Sequence, residues 1–151
     1  MLSIKEELVK FYVCSGCIDK ELGSGYYIVT SEIVRMKPIQ RICKADPERI
    51  LYIGSGKLKS RLRGFKKVIC DKSERGHAGA VTYNRRRNEY KKEFPPKSLF
   101  IYYNICGDAL EKEACLQKEY EKEYGELPPL NLSRAIRSDE YCNDSRNSNL
   151  K

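Results

Sequence analysis

The chain lacks an apolar run long enough for a signal peptide or a membrane-spanning helix. Its opening stretch, MLSIKEELVK, mixes apolar residues with charged ones and gives no sign of a targeting segment. Regular cysteine spacing is missing as well, since the seven cysteines are an odd number at irregular intervals. We therefore expect an intracellular protein, cytoplasmic or associated with the nucleoid or nucleus, in a reducing setting and without a membrane partner. Most of the cysteines are predicted to be small core residues.

A second Cys-x-x-C pair is also absent. Cys14 and Cys17 form a single such pair, with no other pair at zinc-ribbon spacing and no βαβ pattern after it. This argues against a structural zinc and against a redox motif. The interpretation that the pair leaves open is a zinc-dependent interaction protein, in which stoichiometric zinc would survive dialysis.

What the sequence does have is concentrated positive charge. The formal net charge is +8 and the pI is about 9.1. Between Tyr52 and Lys97, fourteen Lys or Arg stand against four Asp or Glu, whereas seven acidic residues stand against three lysines between Asp108 and Glu126. A basic region of this kind favours a polyanionic partner.

Length and hydrophobic content predict one domain with additions, because 151 residues that are 40% hydrophobic can bury one core. We expect an N-terminal helical extension over 1–22, a domain over 23–132 and a polar, partly disordered tail over 133–151. In chain order, the periodicity and the turn residues predict a helix near 3–12, a strand over 26–30, a strand over 49–53 that ends at Gly54, a helix over 58–67, a helix over 80–94, a buried central strand over 99–105 and a helix over 108–124.

The stretch Leu51–Phe65 predicts a strand, a tight turn at Gly54 and Gly56, and a basic helix. Arg61 is expected at the edge of the apolar stripe of that helix, where a guanidinium needs an anionic partner. The partner is either a structural salt bridge or a bound phosphate, for which the planar fork of arginine is well shaped. The cations that fan outward from this segment are Lys57, Lys59, Arg63, Lys66 and Lys67.

Two further residues stand out by their position. Glu113 is the acidic residue that falls on the inward stripe of the last helix, so it either pairs with Arg61 or binds a metal ion. His77 is the only histidine and lies in a polar, glycine-containing loop between two basic helices, which makes it a functional candidate as well as an ordinary surface residue. The next helix presents Arg85 and Arg86 among tyrosines, typical either of a surface that follows a nucleic-acid backbone or of a merely solvated face.

Five sequence elements, in their order along the chain, resemble those of the GIY-YIG nuclease family over about 23–132. The elements that carry the resemblance are Gly25-Tyr26-Tyr27, Tyr52-Ile53-Gly54, Arg61, Glu113 and Asn131. The resemblance implies an α/β (α+β) domain whose three-stranded, mainly antiparallel sheet is flanked by helices. It also implies an endonuclease that cleaves DNA phosphodiester bonds with a single Mg²⁺ or Mn²⁺ held by Glu113, with RNA not excluded as a substrate.

The resemblance also implies a role for each residue. Tyr27 and Tyr52 should share a pocket where one of them orients or deprotonates the attacking water, which requires a nearby cation to lower a pKa of about 10. Arg61 or a neighbouring lysine would supply that cation, and Arg61 would also stabilise charge on the scissile phosphate. Asn131 would position phosphate or close the site by hydrogen bonds.

Two departures from the family pattern give the alternative hypothesis its support. Ser55 stands where many members have lysine, and Phe65 stands where members similar to restriction enzymes have His or Tyr. Lys57 or Lys59 would then reach the phosphate and His77 would replace the missing proton carrier. The alternative is a catalytically weak or inactive nucleic-acid-binding module. In either case the insertion over about 68–96 is expected to make groove contacts.

Overall fold

Four strands form one sheet in the computed structural model of the chain, which describes residues 8–18, 21–33 and 37–135. The strands are β1 (Val9–Tyr12), β2 (Ser24–Ser31), β3 (Ile50–Lys57) and β4 (Leu99–Ile105). The helices are α1 (Leu58–Asp71), α2 (Ala78–Arg85), α3 (Arg87–Glu93) and α4 (Ala109–Tyr124), and a single 3₁₀ turn covers Pro96–Ser98. The strand order is β1-β4-β2-β3 and every neighbouring pair is antiparallel. The α+β class is confirmed.

The strand count is four rather than the predicted three, because Val9–Tyr12 forms an edge strand and not a helix. Phe11 is buried opposite Ile101, whereas Val9 and Tyr12 are 55% and 51% exposed. This VKFY segment is rich in β-branched and aromatic residues, which fit a half-buried pleated surface. Its apolar spacing also suits a helix, and the sequence does not show that β4 has a free edge with which the segment can pair. The predicted helix residues before 8 lie outside the described residues.

The centre of the sheet is where the sequence predicted it. β4 lies between β1 and β2, and its bounds match the predicted 99–105. Burial on both faces holds only for its first half, because Asn104 and Ile105 are exposed. β2 ends at Ser31.

Helices cover both faces of the sheet. Leu58, Leu62 and Phe65 of α1 are fully buried in a core with β2 and β3, and α2 packs against α1 on the same side. On the other face α4 packs against β2 and β3 through a second core. The predicted inward residues of α4 are all buried: Ala109, Leu116, Tyr120 and Tyr124.

The predicted helix over 80–94 is two helices that meet at Arg86, and the first begins at Ala78. Arg86 leaves the helical conformation (φ −99°, ψ 32°). The break allows Tyr90 to stack on Tyr83, with ring centroids 6.1 Å apart, and allows the Tyr83 hydroxyl to donate to the Phe94 carbonyl at 2.6 Å. Tertiary packing of these rings decides the break, which helical periodicity alone does not show.

Most of the described cysteines lie outside the core, contrary to prediction. Cys14, Cys17, Cys43 and Cys70 are exposed free thiols, and Cys106 is half-buried. A sixth, Cys115 on α4, is disulfide-bonded, which the expected reducing setting does not favour. Within the described residues, no helix combines the length and the apolar character that spanning a membrane requires.

Candidate active site

Tyr27 on β2 and Tyr52 on β3 lie side by side, as the sequence predicted. Their ring centroids are 6.0 Å apart and the rings are stacked at 29°. Gly54, which pairs with Tyr27 across the sheet, makes this possible: a Cβ at Gly54 would lie 2.6 Å from the Tyr52 ring and 2.7 Å from the Tyr27 ring. Gly79 packs against the other side of Tyr52 in the same way, since its Cβ would lie 2.7 Å from that ring.

The predicted tight turn at Gly54 and Gly56 is therefore wrong. β3 runs through both glycines to Lys57, and α1 begins at the next residue. Gly56 has φ +130°, and a Cβ there would lie 3.0 Å from Arg61 Nε. Both glycines serve close approach, by the phenol rings at Gly54 and by the guanidinium at Gly56, rather than chain reversal.

His77 joins the two tyrosines, although it was predicted to lie in an open loop. It is only 4% exposed and is the N-cap residue of α2. Its Nε2 lies 2.5 Å from the Tyr27 hydroxyl oxygen, and its ring packs edge-on against Phe65 with centroids 5.0 Å apart. An imidazole therefore contacts Phe65, the position where the family pattern called for His or Tyr, but it comes from the segment before α2.

The hydrogen bonds of His77 assign its tautomer. The backbone N–H of Ala80 donates to Nδ1 at 3.4 Å, so we infer that the neutral ring carries its proton on Nε2 and donates it to Tyr27. The Tyr52 ring packs edge-on against the same imidazole, with ring centroids 5.0 Å apart. His77 is thus hydrogen-bonded to Tyr27, whereas Tyr52 is held by ring packing against both residues.

Burial controls the protonation of this cluster. It raises the pKa of Tyr27 well above 10.0 and also raises the pKa of Tyr52, and the charge of Arg61 opposes both shifts without cancelling them. The expectation that Arg61 would leave a tyrosine with a lowered pKa is therefore wrong for the protein alone. Burial, helped by Arg61, lowers the pKa of His77 to about 4, so this ring is neutral at pH 7.

We expect His77 to make the protein lose stability in acid. Its folded pKa of about 4 lies below the ordinary 6.5, so the unfolded chain takes up the proton first as the pH falls. This stability is present above about pH 6.5 and is lost towards pH 4, by about 3 kcal/mol at most. His77→Asn keeps an acceptor at the helix N-cap but does not titrate. Urea unfolding of both proteins between about pH 4 and pH 8 should show a shallower pH dependence for the variant.

An identical pH dependence for both proteins would contradict the buried neutral ring. The same variant also tests the hydrogen bond between His77 and Tyr27, because the asparagine side chain is too short to reach Tyr27 from the N-cap. If wild-type cleavage is detected, the loss in His77→Asn should be about tenfold, the lower end for a residue that orients a catalytic group.

Glu113 lies on the other side of Tyr52, held by two neighbours. Ser55 Oγ donates to its Oε2, and Gln117 Nε2 donates to its Oε1 at 3.2 Å. The side chain is half-buried, and burial raises its pKa, with Ser55 and the charge of Arg61 opposing that shift. Its carboxylate in turn contributes to the raised pKa of Tyr52. Ser55, the residue at the expected lysine position, thus orients the acid.

Arg61 is exposed, not at a buried edge as predicted. Within the described residues no ion pair links Arg61 to Glu113, so the structural salt bridge between them is not formed. Its charge nevertheless acts on Tyr27, Tyr52 and Glu113, as their pKa shifts show. The guanidinium is close to the site and available to an anion.

Asn131 is bound to the sheet rather than presented to a ligand. Its Oδ1 accepts from Ile53 N–H, and its Nδ2 donates to the Ile53 carbonyl, both at 2.9 Å. Sequence reasoning missed Gln117, a 2% exposed amide that contacts Glu113, the Ile53 carbonyl and Ala135 N–H. The available signal was its position four residues after Glu113 on one face of α4.

The predicted phosphate-binding cations are divided among several surfaces. Lys57, Arg63 and Lys67 are exposed, and Lys59 is half-buried. Lys66 donates to the Gly16 carbonyl at 2.7 Å, which fixes the segment around Cys14 and Cys17. Arg86 lies over the Tyr90 ring, whereas Arg85 lines a separate polar cleft of about 400 Å³ with Lys72 and Arg75.

A cleft of about 420 Å³ opens beside Tyr52 and Glu113. Its other lining residues come from α2, α4 and the segment after α4: Ala78, Thr82, Leu110, Gln117, Leu130, Asn131, Leu132, Ser133, Arg134 and Ala135. Within the described residues, no three His, Cys, Asp or Glu side chains gather into a metal-binding group. Glu113 is thus the carboxylate this cleft offers to a cation.

Comparison of the chain with protein-family models, with curated proteins and with solved structures finds no match. The resemblance to the GIY-YIG nucleases therefore depends on residue types and their order in the sequence.

Proposed function

We propose that this chain is a GIY-YIG-type endonuclease that hydrolyses phosphodiester bonds in DNA with one divalent cation. The observation that supports it is the meeting of side chains from separate segments at one end of β3. Tyr27 and His77 are hydrogen-bonded, Tyr52 packs against both rings, and Arg61 and Glu113 act on the two phenols electrostatically from the sides of α1 and α4.

The donor set fits a single Mg²⁺ or Mn²⁺ at Glu113. Magnesium keeps several waters and is usually held by one or two carboxylates together with substrate phosphates, so one oriented carboxylate is sufficient. Burial raises the pKa of Glu113, and no ion pair in the described part of the chain compensates its charge. When bound, the cation would supply Lewis-acid stabilisation of charge on a phosphate oxygen.

Residues of the chain would bind the phosphate and orient the attacking water. Arg61 binds the scissile phosphate through its exposed guanidinium, which is suited to two parallel hydrogen bonds. Tyr52 lines the cleft and orients the attacking water through its hydroxyl, while Tyr27 and His77 hold Tyr52 from inside. The charge of Glu113 contributes to the raised pKa of Tyr52. A cation bound at Glu113 would neutralise that charge and make Tyr52 easier to deprotonate.

The experiment that tests this function is incubation of the protein with supercoiled, linear and branched DNA, and with RNA, in the presence of Mg²⁺, Mn²⁺ or EDTA. We expect cleavage of at least one DNA form with metal and none above background with EDTA. Equal cleavage with EDTA would contradict the metal role, and no cleavage of any substrate with either metal would contradict the nuclease.

One observation favours the alternative, a nucleic-acid-binding module without turnover. Both phenols have raised pKa values, so neither is a base in the protein alone. This alternative predicts binding to DNA that weakens steeply with salt, as expected for contacts between cations and phosphates, without strand scission under any condition. A filter-binding titration beside the cleavage assay separates the two functions.

A further inference from the structure

The cleft beside Tyr52 exposes apolar side chains that a phosphate backbone does not need. Leu110 is 47% exposed and Leu132 is 75% exposed, and both line the cleft together with Leu130, Ala78 and Ala135. Contiguous exposed apolar surface on a soluble protein commonly marks a binding site. A volume of about 420 Å³ falls in the range of about 300–1,000 Å³ that is typical of small-molecule sites.

Three polar side chains of the cleft, Thr82, Gln117 and Asn131, are already bound within the protein. Both ends of the Gln117 amide are hydrogen-bonded, to the Ile53 carbonyl and Glu113 on one side and to Ala135 N–H on the other. Asn131 is paired with the Ile53 backbone, and Thr82 Oγ1 donates to the Ala78 carbonyl at 3.0 Å. Apart from Glu113, Ser133 and Arg134, what the cleft offers a ligand is therefore apolar surface and the edge of the Tyr52 phenol.

Resting on the proposed nuclease function, we propose that this cleft binds one unstacked nucleobase next to the scissile phosphate. A strand whose phosphate contacts Arg61 passes close to Tyr52, which lines the cleft, and the attached base is the apolar, flat group within reach. A base that is already unpaired enters at little cost, whereas a base in a duplex must first be unstacked. The favoured substrates are therefore single-stranded, looped, flapped or mismatched DNA.

Binding of a short single-stranded DNA oligonucleotide in EDTA tests the proposal without cleavage. An abasic residue is moved through each position of the oligonucleotide in turn, and the dissociation constant is measured by fluorescence anisotropy. We expect one position at which loss of the base weakens binding about tenfold, in line with base–aromatic contacts. Other positions should change binding by less than about threefold.

Ala78→Leu provides the matching protein variant, because Ala78 is an exposed residue at the start of α2 that lines the cleft. The larger side chain should fill the cleft and abolish the sensitivity to the abasic position. Asn88→Leu adds the same side chain at an exposed position on α3 outside the cleft and should keep the sensitivity. Thermal unfolding of both variants checks that the fold is retained.

Equal binding of all abasic oligonucleotides by the wild type would overturn the proposal, as would unchanged sensitivity in Ala78→Leu. Unchanged sensitivity in Ala78→Leu would also be found if another part of the chain occupied the cleft and kept the base out. Failure of the proposed function is distinguishable from these outcomes, since the wild type would then bind none of the oligonucleotides or would cut no DNA in the metal assay.

Discussion

Glu113→Ala is expected to reduce DNA cleavage by about 10²–10³-fold, the loss seen when a group that stabilises transition-state charge is removed. The reason is that Glu113 is the carboxylate at the cleft, oriented by Ser55 and Gln117. Removing it leaves the described residues without a charged oxygen ligand beside Tyr52. The measurement is the initial rate of plasmid nicking at several Mg²⁺ concentrations.

Glu119→Ala is the control, since Glu119 is an exposed acid on the same helix and does not line the cleft. It should cleave at about the wild-type rate and show the same dependence on Mg²⁺. Wild-type activity in Glu113→Ala would remove this residue from the mechanism. Equal losses in both variants would point to the charge of the helix rather than to a metal site.

Arg61→Ala should cost a similar factor, about 10²–10³ in cleavage rate, because the guanidinium is the available cation beside the phenols. Arg61→Lys should recover little of this loss, since an ammonium ion cannot make the two parallel bonds that the guanidinium fork makes with a phosphate. Stability should change by less than about 0.5 kcal/mol in either variant, because Arg61 is exposed.

Arg63→Ala removes an equal charge from an exposed position two residues along α1, which places it on another side of the helix. It should weaken DNA binding modestly and reduce the salt dependence, with the cleavage rate of bound DNA almost unchanged. If Arg61→Ala and Arg63→Ala had the same effect, Arg61 would be one cation of a general surface. A loss confined to Arg61→Ala supports contact with the scissile phosphate.

Arg61 and Glu113 were predicted to be either partners or separate ligands, and in the structure they are not paired. Arg61 lies against Gly56, and Glu113 accepts from the adjacent residue Ser55. Neighbouring residues of a strand point to opposite faces of the sheet, so the cation and the acid approach β3 from its two sides.

His77 shows the limit of prediction from the local sequence. Its uniqueness and its place between basic helices were visible in the sequence, and they made it a candidate. Its burial, its tautomer and its contact with Tyr27 result from the packing of α2 against α1, which joins residues 50 positions apart in the chain. The same limit applies to Asn131, because the sequence alone does not show that its amide is bound to the backbone of Ile53.

By itself, the sequence determined the central strand Leu99–Ile105 and the α4 helix with its inward residues, through hydrophobic periodicity. The α+β class and the grouping of Tyr27, Tyr52, Arg61 and Glu113 came from the family resemblance, and Gln117 was missed. Only the tertiary structure decided that Val9–Tyr12 is a strand and that Gly54 admits two phenol rings instead of making a turn. The physical reason is that a short apolar segment and a glycine each suit several local conformations. A distant part of the chain selects among them, through a free sheet edge in the first case and a bulky neighbour in the second.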